Sequence, residues 1–156
     1  MKPLDRTDLK ILQALQADGR LTNQELATRV SLSPSACLAR VRHLETSGLI
    51  SGYHAHINVE LVGPTLVVLA ELSLKRHNAT EFARFETFIR SMPEVVEAAQ
   101  VSGDFDYLVK IVVPDVRAWR ELAARLQEGE HGVEKVISHI VLKDAKPYSG
   151  FPLRLP

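Results

Sequence analysis

The sequence predicts an α+β protein: an N-terminal three-helix domain of the winged helix-turn-helix type over residues 1–49, a connector strand or linker over 50–64, and a ferredoxin-like βαββαβ domain over 65–156. Three observations carry this. A pair of capped helical segments joined by a three-residue turn lies within 21–50. Apolar residues in the first third recur every three or four positions, whereas beyond Gly63-Pro64 stretches rich in Val and Leu interleave with helical ones. The order of those later stretches is strand, helix, strand, strand, helix, strand, the split βαβ arrangement of a four-stranded antiparallel sheet with both helices on one face.

The first helix is capped by Asp5 and Asp8, places Leu9, Leu12 and Leu15 on one face, and ends at Gly19. Thr22 with Glu25 is a capping box, so a second helix starts at Thr22 with Leu26, Ala27 and Val30 inward. Ser31-Leu32-Ser33 interrupts the pattern ahead of Pro34, which suits a first helical position because it lacks an amide hydrogen; Ser33 therefore caps a third helix. In that helix Cys37, Val41 and Leu44 form the inward stripe, and Gly48 is its left-handed stop. Tyr53, Ala55 and Ile57 alternate with polar neighbours, as in an extended connector or strand. Past Pro64, residues 65–74 read as a strand. Thr80 caps a helix with Phe82, Phe85, Ile89 and Met92 on one side, stopped at Pro93. Residues 95–101 and 107–113 make a hairpin about the loop 102–106. Pro114-Asp115 opens a helix with Val116, Trp119, Leu122 and Leu126 inward, and 133–142 is the last strand.

Both faces of the 65–74 strand are largely apolar, Leu66, Val68, Ala70 and Leu72 alternating with Val67, Leu69 and Glu71. A sheet with helices on one side only then needs a cover on the other, so a partner subunit is expected there; the alternative is a monomer covered by the connector and the C-terminal tail.

The outward face of the third helix carries Ser35, Ala36, Ala39, Arg40, Arg42 and His43. Small residues in its first turn let a helix sink into a major groove about 12 Å wide, and arginines behind them meet phosphates or guanine edges. The plainer alternative is a helical hairpin with a solvated basic face. The chain as a whole is neutral, with 19 Lys and Arg against 19 Asp and Glu. That counts against DNA unless charge is unevenly distributed. Residues 21–56 hold Arg29, Arg40 and Arg42 against Glu25 and Glu45, a slight bias, so useful affinity is expected from two paired protomers.

Composition excludes disorder and fibrous classes, at 46% hydrophobic and 24% charged residues. Cys37 is the single cysteine, so no internal disulfide forms, and its place on the inward stripe fits a small buried hydrophobe. The start MKPLDRTDLK lacks the apolar core of a signal peptide and no apolar run approaches the ~20 residues of a membrane span, so a cytoplasmic protein without membrane partners is expected. Asp104 and Asp106 invite a catalytic or metal reading, but a turn rich in Asp and Gly is ordinarily just a turn. His54 and His56 lack a Cys or acid to complete a metal set. No glycine-rich phosphate loop occurs. The expectation is therefore no enzyme, no catalytic residue, no metal and no cofactor.

With this layout, the chain resembles the Lrp/AsnC (feast/famine) family of transcriptional regulators over nearly all of its length. The resemblance rests on Leu4-Asp5, Asp8, Ile11-Leu12, Asp18-Gly19-Arg20, Asn23, Leu26-Ala27, Leu32-Ser33-Pro34, Cys37, Arg40-Val41, Leu44-Glu45, Gly48, Ile50, Gly52-Tyr53 and the run VSGDFDYL ending at Leu108. The SGDFDYL loop and the SPxxC helix start look closest to the leucine-responsive branch. The resemblance implies a sequence-specific DNA-binding regulator, acting on a palindromic operator in double-stranded DNA, with homodimers assembling into a higher oligomer, an octamer. A small amino acid held between dimers would modulate it. DNA contacts carried over by the resemblance are Thr22, Asn23, Ser33, Pro34, Ser35, Ala36, Ala39, Arg40, Arg42 and His43; Arg40 has the alternative of pairing with an acid of its own domain. Effector contacts carried over are Gly103, Asp104, Asp106, Tyr107 and Ser138. Such a loop offers carboxylates for an ammonium group and glycine-turn amides for a carboxylate. The other function considered is an amino-acid-binding regulatory subunit whose helical domain docks a protein partner instead of DNA.

Overall fold

The computed structural model describes residues 4–129 and 131–154. The chain divides into two compact units, one formed by the chain up to Ile57 together with the segment from Lys146, the other by Asn58–Ala145.

The first unit holds three helices, α1 (Arg6–Ala17), α2 (Asn23–Arg29) and α3 (Pro34–Thr46). Each start is fixed locally. Asp5 caps α1 by accepting from Thr7 N and Asp8 N, and Asp8 accepts from Asp5 N in return. Thr22 and Glu25 form the reciprocal box on α2. Ser33 caps α3, with Pro34 in its first turn. The turn between α2 and α3 closes a Schellman pattern: Ser31 N donates to Thr28 O (3.3 Å) and Leu32 N to Ala27 O (2.9 Å). Its left-handed position is held by a serine, Ser31 at φ 57°, where glycine is the usual residue. Ile11, Leu26, Ala27, Val30, Cys37 and Leu44 form the core, with Leu12, Leu15 and Val41 packed against it. The inward stripe of α1 is thus centred on Ile11; of the expected Leu9, Leu12 and Leu15, the last two pack against this core, and α1 ends at Ala17, two residues before Gly19.

The C-terminal tail belongs to this unit rather than to the second domain expected over 65–156. Gln16 is the reason. Its Nε2 donates to Phe151 O and its Oε1 accepts from Phe151 N, both at 2.9 Å, while Gln13 Nε2 donates to Leu153 O. Gly150 permits the approach, since a Cβ there would collide with the Gln16 amide and its φ is +108°. Residues 51–58 form no strand, only a connector with Tyr53 and Ile57 exposed, followed by a single 3-10 turn at Val59–Leu61.

The second unit runs β1 (Leu66–Leu74), α4 (Ala79–Arg90), β2 (Val95–Gln100), β3 (Tyr107–Val113), α5 (Val116–Glu128) and β4 (Val133–Ile140). The sheet is antiparallel in the order β2-β3-β1-β4. This is the expected βαββαβ order. Alternate residues of β1 and β3, Val68 to Leu74 and Tyr107 to Val113, are buried against Phe85 and Ile89 of α4 and Trp119, Leu122 and Leu126 of α5. Two local expectations shift. Asn78, not Thr80, caps α4, its Oδ1 accepting from Glu81 N at 3.0 Å. Val116 is 52% exposed because it occupies the first position after the Asp115 cap, ahead of the inward stripe. The opposite sheet face keeps Leu69, Leu108 and Ile137 partly exposed, with Glu71 and His139 paired at 3.0 Å across β1 and β4.

Candidate nucleic-acid interface and effector cavity

The two units carry opposite charge. The segments 1–57 and 146–156 hold nine Lys and Arg against five Asp and Glu, a net of +4, while 58–145 holds ten against fourteen, a net of −4. The neutral total conceals a basic helical unit and an acidic sheet unit, which removes the objection that net charge raised against DNA.

On α3 the buried Cys37 and Leu44 orient the helix, leaving Ser35, Ala36, Ala39, Arg42 and His43 on its exposed surface. The Arg42 guanidinium has no hydrogen-bond or ion-pair partner among the described residues. Burial pushes the Cys37 thiol up from its ordinary value, as suits an inert core sulfur. Ser33 sits at the tip, its Oγ 3.3 Å from both Ala36 N and Ser35 Oγ.

Three of the expected DNA contacts have internal partners. Arg40 places Nη1 at 2.7 Å from both Asp5 Oδ2 and Asp8 Oδ1, tying α3 to the start of α1. Its half-buried position and the nearly buried Asp8 make it a structural clamp, the alternative weighed for it from sequence. Asp8 N–H and the Arg40 guanidinium hold the Asp5 carboxyl down at about 2. Asn23 Nδ2 donates to Pro34 O at 2.8 Å, stapling α2 to the first turn of α3. Thr22 is occupied by its capping box: its hydroxyl donates to Glu25 Oε2 at 2.7 Å, and this with the Thr22 N–H lowers the Glu25 carboxyl below its usual range.

In the second unit, the loop between β2 and β3 borders a cavity of about 560 Å3 lined by Ser73, His77, Gly103, Asp104, Phe105, Asp106, Glu134 and Lys135. Gly103, at φ +129°, has open space where a side chain would stand, and Asp104 is exposed. Asp106 anchors the loop, its Oδ2 accepting from Leu74 N at 2.7 Å and lying 3.2 Å from His77 Nε2. It shapes the cavity as well as lining it.

Two expected effector residues lie elsewhere. Tyr107 is 2% exposed and packs in the core with its ring 4.7 Å from that of Phe85. Burial, and then the bond to Glu86, push its phenol up to about 12. Its position follows from strand alternation, which turns it onto the helix face. Ser138 on β4 pairs with Ala70 of β1, lies three residues and so about 10 Å along the strand from Lys135, and does not line the cavity. Ser73, His77, Phe105, Glu134 and Lys135 were not found from sequence. The signal that would have found Lys135 is its register opposite Ser73, which requires knowing that β1 pairs with β4.

Residues 4–51 match the family described as winged helix-turn-helix DNA-binding, and residues 67–151 match the Lrp/AsnC ligand binding domain. The leucine-responsive regulatory protein of Escherichia coli K12 is 43% identical over 145 residues, spanning 93% of this chain and 88% of that protein. A transcriptional regulator of Neisseria meningitidis, solved as a complex with L-Met, superposes with a TM-score of 0.87 at 38% identity, covering 96% of each chain. An AsnC family regulator of Agrobacterium tumefaciens superposes with the same score at 32% identity, covering 96% of this chain and 97% of that one.

Proposed function

The chain belongs to the Lrp/AsnC family, and from that premise we infer that it is a sequence-specific DNA-binding transcriptional regulator whose assembly or operator affinity is modulated by a small amino acid bound between dimers. The observation that carries this is the union, in one chain, of a helix-turn-helix unit of net charge +4 with an Lrp/AsnC ligand binding domain. The relatives are named as regulatory proteins and transcriptional regulators, and the role inferred for this chain is non-enzymatic, cytoplasmic and without metal or cofactor.

The DNA-facing surface is the α3 face from Ser33 through Pro34, Ser35, Ala36 and Ala39 to Arg42 and His43. The small residues admit the groove and Arg42 reaches phosphate or a guanine edge. Thr22, Asn23 and Arg40 act one step back, by fixing the angle between the helices. The effector is held at the Gly103 loop, with Asp104 for its ammonium and the amides about Gly103 for its carboxylate. A homodimer building towards an octamer presents paired recognition helices to a palindromic operator, with half-sites about one helical turn or a multiple of it apart. The effector works by differential affinity for two arrangements of that assembly, since equal affinity would shift nothing.

The test is selection from a random duplex pool by the full chain, followed by gel shifts with and without each of the twenty amino acids. The expected result is an enriched palindrome whose affinity falls steeply with salt and changes with at least one amino acid. A chain that retains no duplex at low salt overturns the reading. A thermal-shift screen identifies the effector, because a ligand at 100 times its dissociation constant stabilises the folded state by about 2.7 kcal/mol.

A further inference from the structure

The cavity at the Gly103 loop carries an excess of unneutralised carboxylate that a neutral amino acid does not satisfy. Asp104, Glu134 and Lys135 all line it, all are exposed, and none of their side chains has a hydrogen-bond or ion-pair partner among the described residues. Asp106 is different, because Leu74 N and His77 already engage its carboxylate. The unengaged set is therefore two anions and one cation. The complement of that set is a molecule with two cationic groups and one anionic group. A zwitterion with an aliphatic side chain supplies only one of each and leaves a carboxylate facing the ligand's hydrocarbon. Phe105 is the one apolar side chain in the lining, so an aliphatic effector would gain a single apolar wall.

We propose that the effector of this chain is a basic α-amino acid, of the lysine or arginine class, whose side-chain cation is taken by Glu134. The proposal rests on the amino-acid effector reading above and assigns its chemical class. In this arrangement Lys135 and the loop amides at Gly103 take the α-carboxylate, and Asp104 takes the α-ammonium. Glu134 then discriminates between side chains. The volume of about 560 Å3 admits an extended side chain of this kind. The acidic balance of the whole unit, net −4, adds a long-range field of the same sense.

Isothermal titration of the full chain at low ionic strength with L-lysine, L-arginine, L-leucine and L-methionine tests this. The basic pair should bind at least tenfold more tightly than the aliphatic pair. Glu134→Gln should abolish that ratio by weakening lysine, bringing lysine and leucine to within about threefold. Asp104→Asn should weaken all four alike, since it loses the contact to the group they share. Both positions are exposed, and circular dichroism melts of the two variants check that they fold as wild type does. Leucine or methionine binding as tightly as lysine overturns the proposal while the effector reading stands, and so does a Glu134→Gln protein that keeps its preference. Absence of heat with any of the twenty amino acids overturns both.

Discussion

The helical unit and the sheet unit use their charged side chains in opposite ways. In the first, the carboxylates nearest the core are neutralised inside the fold, Asp5 and Asp8 by Arg40, and the basic groups without partners lie outside. In the second, two of the three carboxylates bordering the cavity, Asp104 and Glu134, are left open, while the unit's interior is a hydrophobic layer between two helices and one sheet face. A basic surface suits a ligand of fixed, repeating negative charge, and an acidic cavity suits a small ligand that comes and goes. The lesson is that a chain with zero net charge can still hold two units of net charge +4 and −4, so total charge says little about partners until it is divided by unit.

Removing the shared aromatic packing should break the sheet unit first. Phe85 is fully buried against Tyr107, and Phe85→Ala should cost about 3–5 kcal/mol in denaturant unfolding. A loss below about 1 kcal/mol would mean that this core collapses into the space. The sharpest contrast inside the helical unit is between two arginines two positions apart. Arg40→Ala should cost about 2 kcal/mol of stability, because it leaves the nearly buried Asp8 carboxylate without its cation. Arg42→Ala should leave the melting curve unchanged but cost about 1–3 kcal/mol of operator affinity if it reads a base, and unaltered gel-shift affinity would remove it from the interface. Were the two effects exchanged, the division between internal clamp and external reader would be wrong.

A smaller change of opposite sign is expected at the helix-turn-helix turn. Ser31→Gly relieves a left-handed serine and should raise the midpoint of thermal unfolding by an amount worth up to about 1 kcal/mol. The smallest effect concerns acid. Asp5 is held near 2, below its usual value of about 3.9, so its contribution is complete above about pH 4 and is lost as the pH falls through about 2. Asp5→Asn should flatten that part of the melting temperature against pH, and an unchanged profile would show that the Asp5–Arg40 pair is not felt in solution.

Most of the architecture was legible because it is written in local chemistry. Thr22 with Glu25, Ser33 with Pro34, and Gly48 each act on the nearest turn of backbone, so their spacing alone specifies where α2 and α3 begin and where α3 stops. The order strand, helix, strand, strand, helix, strand announced a sheet with both helices on one face, and alternate residues of β1 and β3 are buried on one side of it. The site was only half legible. Gly103, Asp104 and Asp106 are neighbours in the chain and were found together, whereas Ser73, His77, Glu134 and Lys135 reach the cavity from two other parts of the sequence.

The sequence by itself determined the elements, their order, the family resemblance and the outward face of α3, since caps, periods and turn residues act over a few positions. Only the tertiary structure decided that Arg40 is a clamp, that Tyr107 belongs to the core, that the tail returns to Gln16, and that Glu134 and Lys135 share a cavity with Asp104. Those facts join residues tens of positions apart, from 21 between Glu86 and Tyr107 to 135 between Gln16 and Phe151. Pairings at that range depend on strand register and on which faces meet in packing, and no local preference of the chain encodes them.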